Sequence, residues 1–384
     1  MAQNKLVNWT DSMDLHAGLF KQTENHFLSA IAENAELNLT NNNYGLLPSK
    51  TEHGLYNGIR VNEHVTGHIE VQLYNCRAVT ASGYRIDFDA EESGLPLVKR
   101  YSPSEDKNLK NRDIRHWDII LSIDPFNRMP TGSPDPEETP PRHPDCESSY
   151  ALYIMPAGDI NTLEFGKNYL TIGRLRKDSE RYVVDTNYIP PSASMSAHPE
   201  LVDYFNTFSS LFVSIEKSSK MIIEKIHTRS NKSDLAINIQ SMCREVLRYI
   251  ANIYFDLRNR ARYVAPIESV NYISSLAHTC YIGLVFLDNR HKEEMLKYFY
   301  EWTDIAPGTF EELIANTLDL IYRHDDLRSI MVQSEHFLRN FASLWERMSK
   351  LEYIGQHKES IVVSERSQEK DNSGRPAQSW SILD

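Results

Sequence analysis

Between about residue 44 and residue 185, apolar and polar side chains alternate. Ile69, Val71 and Leu73 are separated by polar neighbours, and Trp117, Ile119, Leu121 and Ile123 repeat the pattern in "HWDIILSID". A period of two is that of a strand with one face buried. "YRIDFD", "SYALYIM", "YLTIGRL" and "RYVVD" are further strands by the same test. Clusters of Gly, Pro, Ser and Asn separate them, and no βαβ rhythm interrupts them, so the spacing predicts an antiparallel sandwich. Ahead of it, residues 21–40 read as helix, ended by the turn residues "NNNY".

After Pro199 the period changes to about 3.5–3.6. Leu201, Phe205, Phe208, Phe212, Ile215 and Ile222 share one face; Leu235, Ile239, Met242, Val246, Ile250, Ile253 and Leu257 share another. Val270, Ile273, Ala277, Cys280, Leu284 and Leu287 continue the series. A last helix carries Phe337, Phe341, Leu344, Met348 and Leu351 as a near-heptad seam, suited to a bundle within one chain or between chains. The expected fold is therefore α+β and multidomain. A β-sandwich shell with an N-terminal helix takes residues 1–190, a helical bundle 191–352, and a hairpin or tail 353–384. The hairpin follows from two short apolar runs, Ile361–Val363 and Trp380–Leu383, on either side of "DNSG".

The two halves meet in "YIPPSASMSAHPEL". Tyr188 and Ile189 end a strand. Pro190 and Pro191 stop β pairing and stiffen an extended linker, and Pro199 fits the first turn of the helix that follows. These residues are the expected interdomain hinge. A second proline-rich stretch, residues 125–144, holds seven of the chain's 17 prolines and reads as an excursion outside the sheet, solvated or used as a partner-binding arm.

Composition narrows the function. The net charge of −12 disfavours nucleic acid, because no basic patch offsets it. Cys76, Cys146, Cys243 and Cys280 form no CxxC pair. The longest apolar run, "YIGLVFL", is far short of the ~20 residues that span a bilayer, and the N-terminus lacks a signal-peptide core. A soluble cytoplasmic protein is expected.

Chemistry-bearing motifs are scarce. Walker A, GxGxxG, HExxH and GxSxG are absent from the sequence. His64 and His68 fall in a strand-like region, where residues four apart are ~13 Å apart and cannot share a zinc ion. In "RHDDLR", Asp325 or Asp326 is placed to cap the last helix. Trp117, on an alternating strand, is read as core and otherwise as a sugar-stacking platform. No catalytic residue, metal or cofactor is implied. A carbohydrate-binding or carbohydrate-active sandwich stands as an alternative, since convergent carboxylates leave no linear signature.

The joint resembles that of TssK, the baseplate subunit of type VI secretion systems. The family's pattern is a strand, [FY]-I-P-P, a small-residue run with S-A-x-P-x-L, then a helix; here Tyr188–Pro191 and Ser196, Ala197, Pro199 and Leu201 match. The family begins W-x-E-G-M-x-L-x-P-Q-H-F, and the chain has "WTDSMDLHAGLF". Trp9, Met13, Leu15 and Phe20 match and Asp11 is an acidic equivalent; Ser12, Ala17, Gly18 and Leu19 depart. "YGLLP", "DIILSIDPFN" and "YLTIGRL" resemble further family segments, over roughly residues 5–325.

The resemblance implies a sandwich shell like the shoulder of phage receptor-binding proteins, a helical bundle, and a homotrimer. It implies a shell that grips a TssF–TssG wedge, for which Trp9, Asp11, Met13, Leu15 and Phe20 are the expected contacts. The family's C-terminal head domain does not fit after the last helix, which resembles the shortened form of Bacteroidetes systems. The envelope-side partner is then a different component. A phage or phage-tail-like adaptor shares the same pattern and is the nearest alternative.

Overall fold

Alternation in the first half produces ten strands in the computed structural model, which describes residues 4–50, 58–64, 67–103, 114–159, 166–178, 181–229, 233–303 and 306–358. By internal contacts the chain divides into two units. The first comprises residues 1–206, 256–271 and 321–332; the second comprises 207–255, 272–320 and 333–384. The expected boundary at 190/191 falls inside the first unit. Most of the expected C-terminal hairpin, residues 359–384, lies outside the described residues.

The first unit opens with helix α1 (Ala17–Glu36). Strands β1 (Gly45–Leu46), β4 (Asn75–Val79) and β5 (Arg85–Asp89) form one antiparallel sheet. Strands β2 (Ile59–Glu63), β3 (Ile69–Leu73) and β6 (Leu97–Tyr101) form a second, with a one-turn helix α2 (Ala90–Ser93) before β6. The third runs β10 (Arg181–Val184), β9 (Tyr169–Asp178), β7 (His116–Thr131), β8 (Asp145–Pro156), again antiparallel. All three feed one apolar core: Val71 and Leu73 from the second sheet, Ala78 and Ile86 from the first, Ile119 and Leu121 from the third. Trp117 belongs to this core, 2% exposed, and its indole N–H donates to the Tyr101 hydroxyl at 3.1 Å. Its role as a core residue is thereby established, and a sugar platform at Trp117 is excluded.

Two readings of this half need correction. The proline-rich excursion begins later than expected, because β7 continues through Pro125 and Pro130 to Thr131 and pairs with Asp145–Ser148 of β8. A register break between Asp124 and Arg128 absorbs Pro125. There the Asp124 carboxylate accepts from the Phe126 and Asn127 amides at 3.1 and 3.2 Å. The registered pairing of β9 with β7 stops at Ser122, so Pro130 lies where the ladder has an open side, a position that tolerates proline. The second correction concerns the histidines. His64 and His68 are not ~13 Å apart: the chain reverses between β2 and β3, and their rings stack at 4.4 Å.

The joint is neither strand nor helix from Thr186 to His198, apart from one bridge at Ser192. It is well buried, with Ile189, Ser192, Met195 and Ala197 all inside. Ser192 forms a parallel bridge with Leu46. The Leu46 amide donates to the Pro191 carbonyl, and the Ala193 amide to the Leu46 carbonyl, both at 2.8 Å. Gly45 makes this approach possible: at φ +112°, a Cβ there would lie 2.1 Å from the Pro191 carbonyl oxygen. The Arg328 guanidinium secures the same stretch, donating to the Asn187 carbonyl at 2.9 Å and pairing with Glu200 at 2.9 Å.

Helix α3 (Pro199–Thr228) starts with proline at its first position, and the His198 carbonyl accepts its first helical bond, from Val202. Helices α4 (Asp234–Asn259), α5 (Pro266–Val285), α6 (Asn289–Thr303), α7 (Pro307–Leu318) and α8 (Leu327–Lys350) follow. In the second unit the predicted stripes are the core: Phe208, Phe212 and Ile215 of α3, Ile239, Met242 and Val246 of α4, and Ile273, Ala277 and Cys280 of α5 are all buried. The α8 seam is spent inside the protomer. Phe337, Phe341, Leu344 and Met348 are at most 1% exposed, and Leu351 is half-buried. Phe341 lies 4.2 Å from the Trp345 ring. Lys225 caps the end of α8, donating to the Ser349 and Leu351 carbonyls at 2.6 and 2.7 Å.

Candidate docking surface

Most of α1 faces away from its own protein. Of its twenty residues only Ala32 is buried. Phe20, Phe27 and Ile31 are spaced seven and four apart, which sets them on one face of a 3.6-residue helix. That face is open: Phe20, Phe27 and Ile31 are between 52% and 66% exposed, and Leu6, Trp9 and Leu15 of the preceding segment are exposed as well.

The helix is held by a few specific contacts. Gly83, at φ +84°, lets the β4–β5 turn approach its backbone; a Cβ there would lie 2.3 Å from the Ala32 carbonyl oxygen. Arg128 forms an ion pair with Glu24 and donates to the Asn25 side chain at 2.8 Å. Lys167 reaches Glu36 at 3.4 Å. The N-terminal segment lies along the helix: Asn4 donates to the Ser29 hydroxyl at 2.8 Å, and Gln22 to the Lys5 carbonyl at 3.2 Å. His16 caps the helix by accepting from the Gly18 amide at 3.2 Å.

The structure brings Trp9 and Phe20 together, with ring centroids 6.1 Å apart. Asp11 and Leu15 are exposed beside them and Met13 is half-buried. The turn that joins them passes through Ser12 at φ +64°, the left-handed region that glycine favours. Ser12 stands where the TssK pattern has glycine. Leu6, Phe27 and Ile31 were not singled out in the sequence, although the Phe20–Phe27–Ile31 spacing carries the signal.

The other expected sites lie elsewhere. Tyr188, Ile189, Pro190, Pro191 and Pro199 line the joint within the first unit, where the Arg174 guanidinium stacks 4.3 Å from the Tyr188 ring and pairs with Asp118 at 2.7 Å. Burial pushes the Tyr188 phenol far above its ordinary range. Phe337, Phe341, Leu344 and Met348 form the core of the second unit. Among the described residues no three His, Cys, Asp or Glu side chains are arranged to hold a metal ion. No described helix is long and apolar enough to cross a membrane. The α1 face is an exposed apolar patch of the kind that marks interaction sites.

Comparison with known proteins agrees on the architecture. No family model and no curated protein matches the sequence. Among solved structures, a crystal structure of TssK superposes with a TM-score of 0.54 at 13% identity, covering 88% of this chain and 69% of that one. The fold is that of TssK. A chain of the type VI secretion TssK–TssF–TssG baseplate subcomplex superposes with a TM-score of 0.51 at 12% identity, over 88% of this chain and 99% of that one. A chain of the type VI secretion baseplate complex gives 0.50 at 13% identity, over 87% and 99%. At such identity the likeness is one of fold.

Proposed function

We propose that this protein is a structural component of a type VI secretion baseplate, acting without catalysis as a trimeric adaptor between the baseplate wedge and the cell envelope. The observation that carries this reading is the open α1 face with the Trp9–Phe20 pair, on a chain whose fold is that of TssK and which superposes on a chain of the TssK–TssF–TssG baseplate subcomplex. The face would take wedge subunits similar to TssF and TssG. Each of its large apolar side chains would contribute roughly 1.5–3 kcal/mol on burial. Three copies around one axis would turn modest single contacts into a firm attachment. The work would be done in the cytoplasm, at the inner face of the envelope, against an envelope component of unknown identity.

The test is co-purification with wedge subunits similar to TssF and TssG. The doubly substituted Trp9→Ala, Phe20→Ala protein should fold and keep its native mass while losing the wedge subunits. Recovery of those subunits at the wild-type level would refute the assignment of this face.

A further inference from the structure

Within the first unit a concave surface lies on another side of α1. The C-terminal half of α1, the β4–β5 turn, the start of β9 and the segment before α8 surround a cavity of about 1260 Å³. Six aromatic rings stand among the polar residues of its lining: Tyr44, Tyr84, Phe126, Tyr169, Tyr188 and Tyr322. Three carboxylates and two cations also line it: Glu33, Glu36 and Asp325, with Lys167 and Arg323. The cations are already engaged, Lys167 with Glu36 at 3.4 Å and Arg323 with Asp326 outside the lining. Glu33 and Asp325 are exposed at the rim, and among the described residues neither has an ion-pair partner. Their charges reach the walls: Asp325 raises the Tyr44, Tyr169 and Tyr188 phenols, and Glu33 raises Tyr84, each adding to the effect of burial.

We propose that this cavity receives an arginine side chain carried on a segment of a partner protein. A guanidinium stacks flat on phenol rings and forks onto a carboxylate, and this cavity offers both with two rim carboxylates uncommitted. The volume exceeds the ~300–1,000 Å³ of small-ligand sites, so it admits flanking backbone as well as one side chain. The chain's net charge of −12 draws a cationic segment toward it. This site goes beyond the assembly reading and does not depend on it.

The test uses the full chain and the peptide acetyl-Gly-Ser-Gly-Arg-Gly-Ser-Gly-amide, titrated calorimetrically at low salt. The expected result is saturable binding that weakens by about tenfold or more when citrulline replaces arginine. Asp325→Asn and Glu33→Gln should each weaken it by about threefold or more, with unchanged thermal unfolding because both carboxylates are exposed. Glu216→Gln, in the second unit, should leave it unchanged. Absence of binding, equal binding of the citrulline peptide, or indifference to both cavity substitutions would overturn the proposal. Spermidine binding as tightly as the peptide would also overturn it, by making the cavity a small-cation site. Loss of wedge binding in the Trp9, Phe20 variant bears on none of these outcomes.

Discussion

His324 and Tyr44, 280 positions apart, are joined by a hydrogen bond of 2.7 Å from the imidazole Nε2 to the Tyr44 carbonyl oxygen. A carbonyl only accepts, so Nε2 carries the proton. Nδ1 then accepts from the Tyr322 hydroxyl at 2.8 Å. Burial keeps the ring neutral by holding its pKa below the usual histidine range. The segment before α8 is thereby tied to β1, whose Leu46 in turn bridges the joint at Ser192.

Replacing His324 by Phe preserves the ring and removes both bonds. The Tyr44 carbonyl and the Tyr322 hydroxyl lose their partner in a buried setting, at a cost of about 1–3 kcal/mol. Chemical denaturation should show this as a lower midpoint.

Acid should weaken the fold through His198. Burial, aided by the nearby Arg328 charge, lowers its pKa from 6.5 to about 4. Between those values the unfolded chain binds a proton that the folded chain refuses. The contribution is therefore complete above pH ~6.5 and is lost as pH falls toward ~4, by on the order of 2–3 kcal/mol. His198→Gln should flatten the pH dependence of the unfolding free energy in that window by about this amount.

The seam on α8 should behave as core. Leu344→Ala is expected to cost about 2–5 kcal/mol. Phe341→Asp should leave the second unit unfolded, because it buries a charge against Trp345. Circular dichroism melts would show both. A protein with unchanged melting after Leu344→Ala would show that the seam is not packed in the protomer.

Ser12 occupies a backbone conformation that costs a non-glycine residue ~1 kcal/mol. Ser12→Gly should relieve that cost and hold the turn between Trp9 and Phe20 more firmly. Slower amide exchange in residues 9–15 is the measurement.

How much of this was legible follows from what a linear pattern encodes. Strands such as β5 and the second half of β8 were visible because buried residues, Ile86 and Phe88 or Leu152 and Ile154, alternate with more exposed neighbours. The long helices were visible because their stripes recur over several turns. The extension of β7 past Pro125 was hidden, because the rule against proline in a ladder assumes both sides of the strand are paired. Helices α6 and α7 were missed although Phe310, Leu313, Ile314 and Thr317 recur at spacings of three and four, because at 15 and 12 residues each stripe repeats over few turns. His64 and His68 were misjudged because a reversal between strands cancels the distance that an extended chain would impose. At the candidate surface, Trp9 and Phe20 were found through a pattern of residue types. Phe27 and Ile31 were passed over although they share the face of Phe20, because spacing alone does not say whether a stripe is covered or exposed.

A helix that hides a single side chain in its own molecule leaves the newly made chain with a sticky edge until something covers it. Chaperones and proteases recognise such edges, so copies made in excess of their partners would be short-lived. Supply of the partner, more than the rate of synthesis, would then set how much of this protein a cell holds.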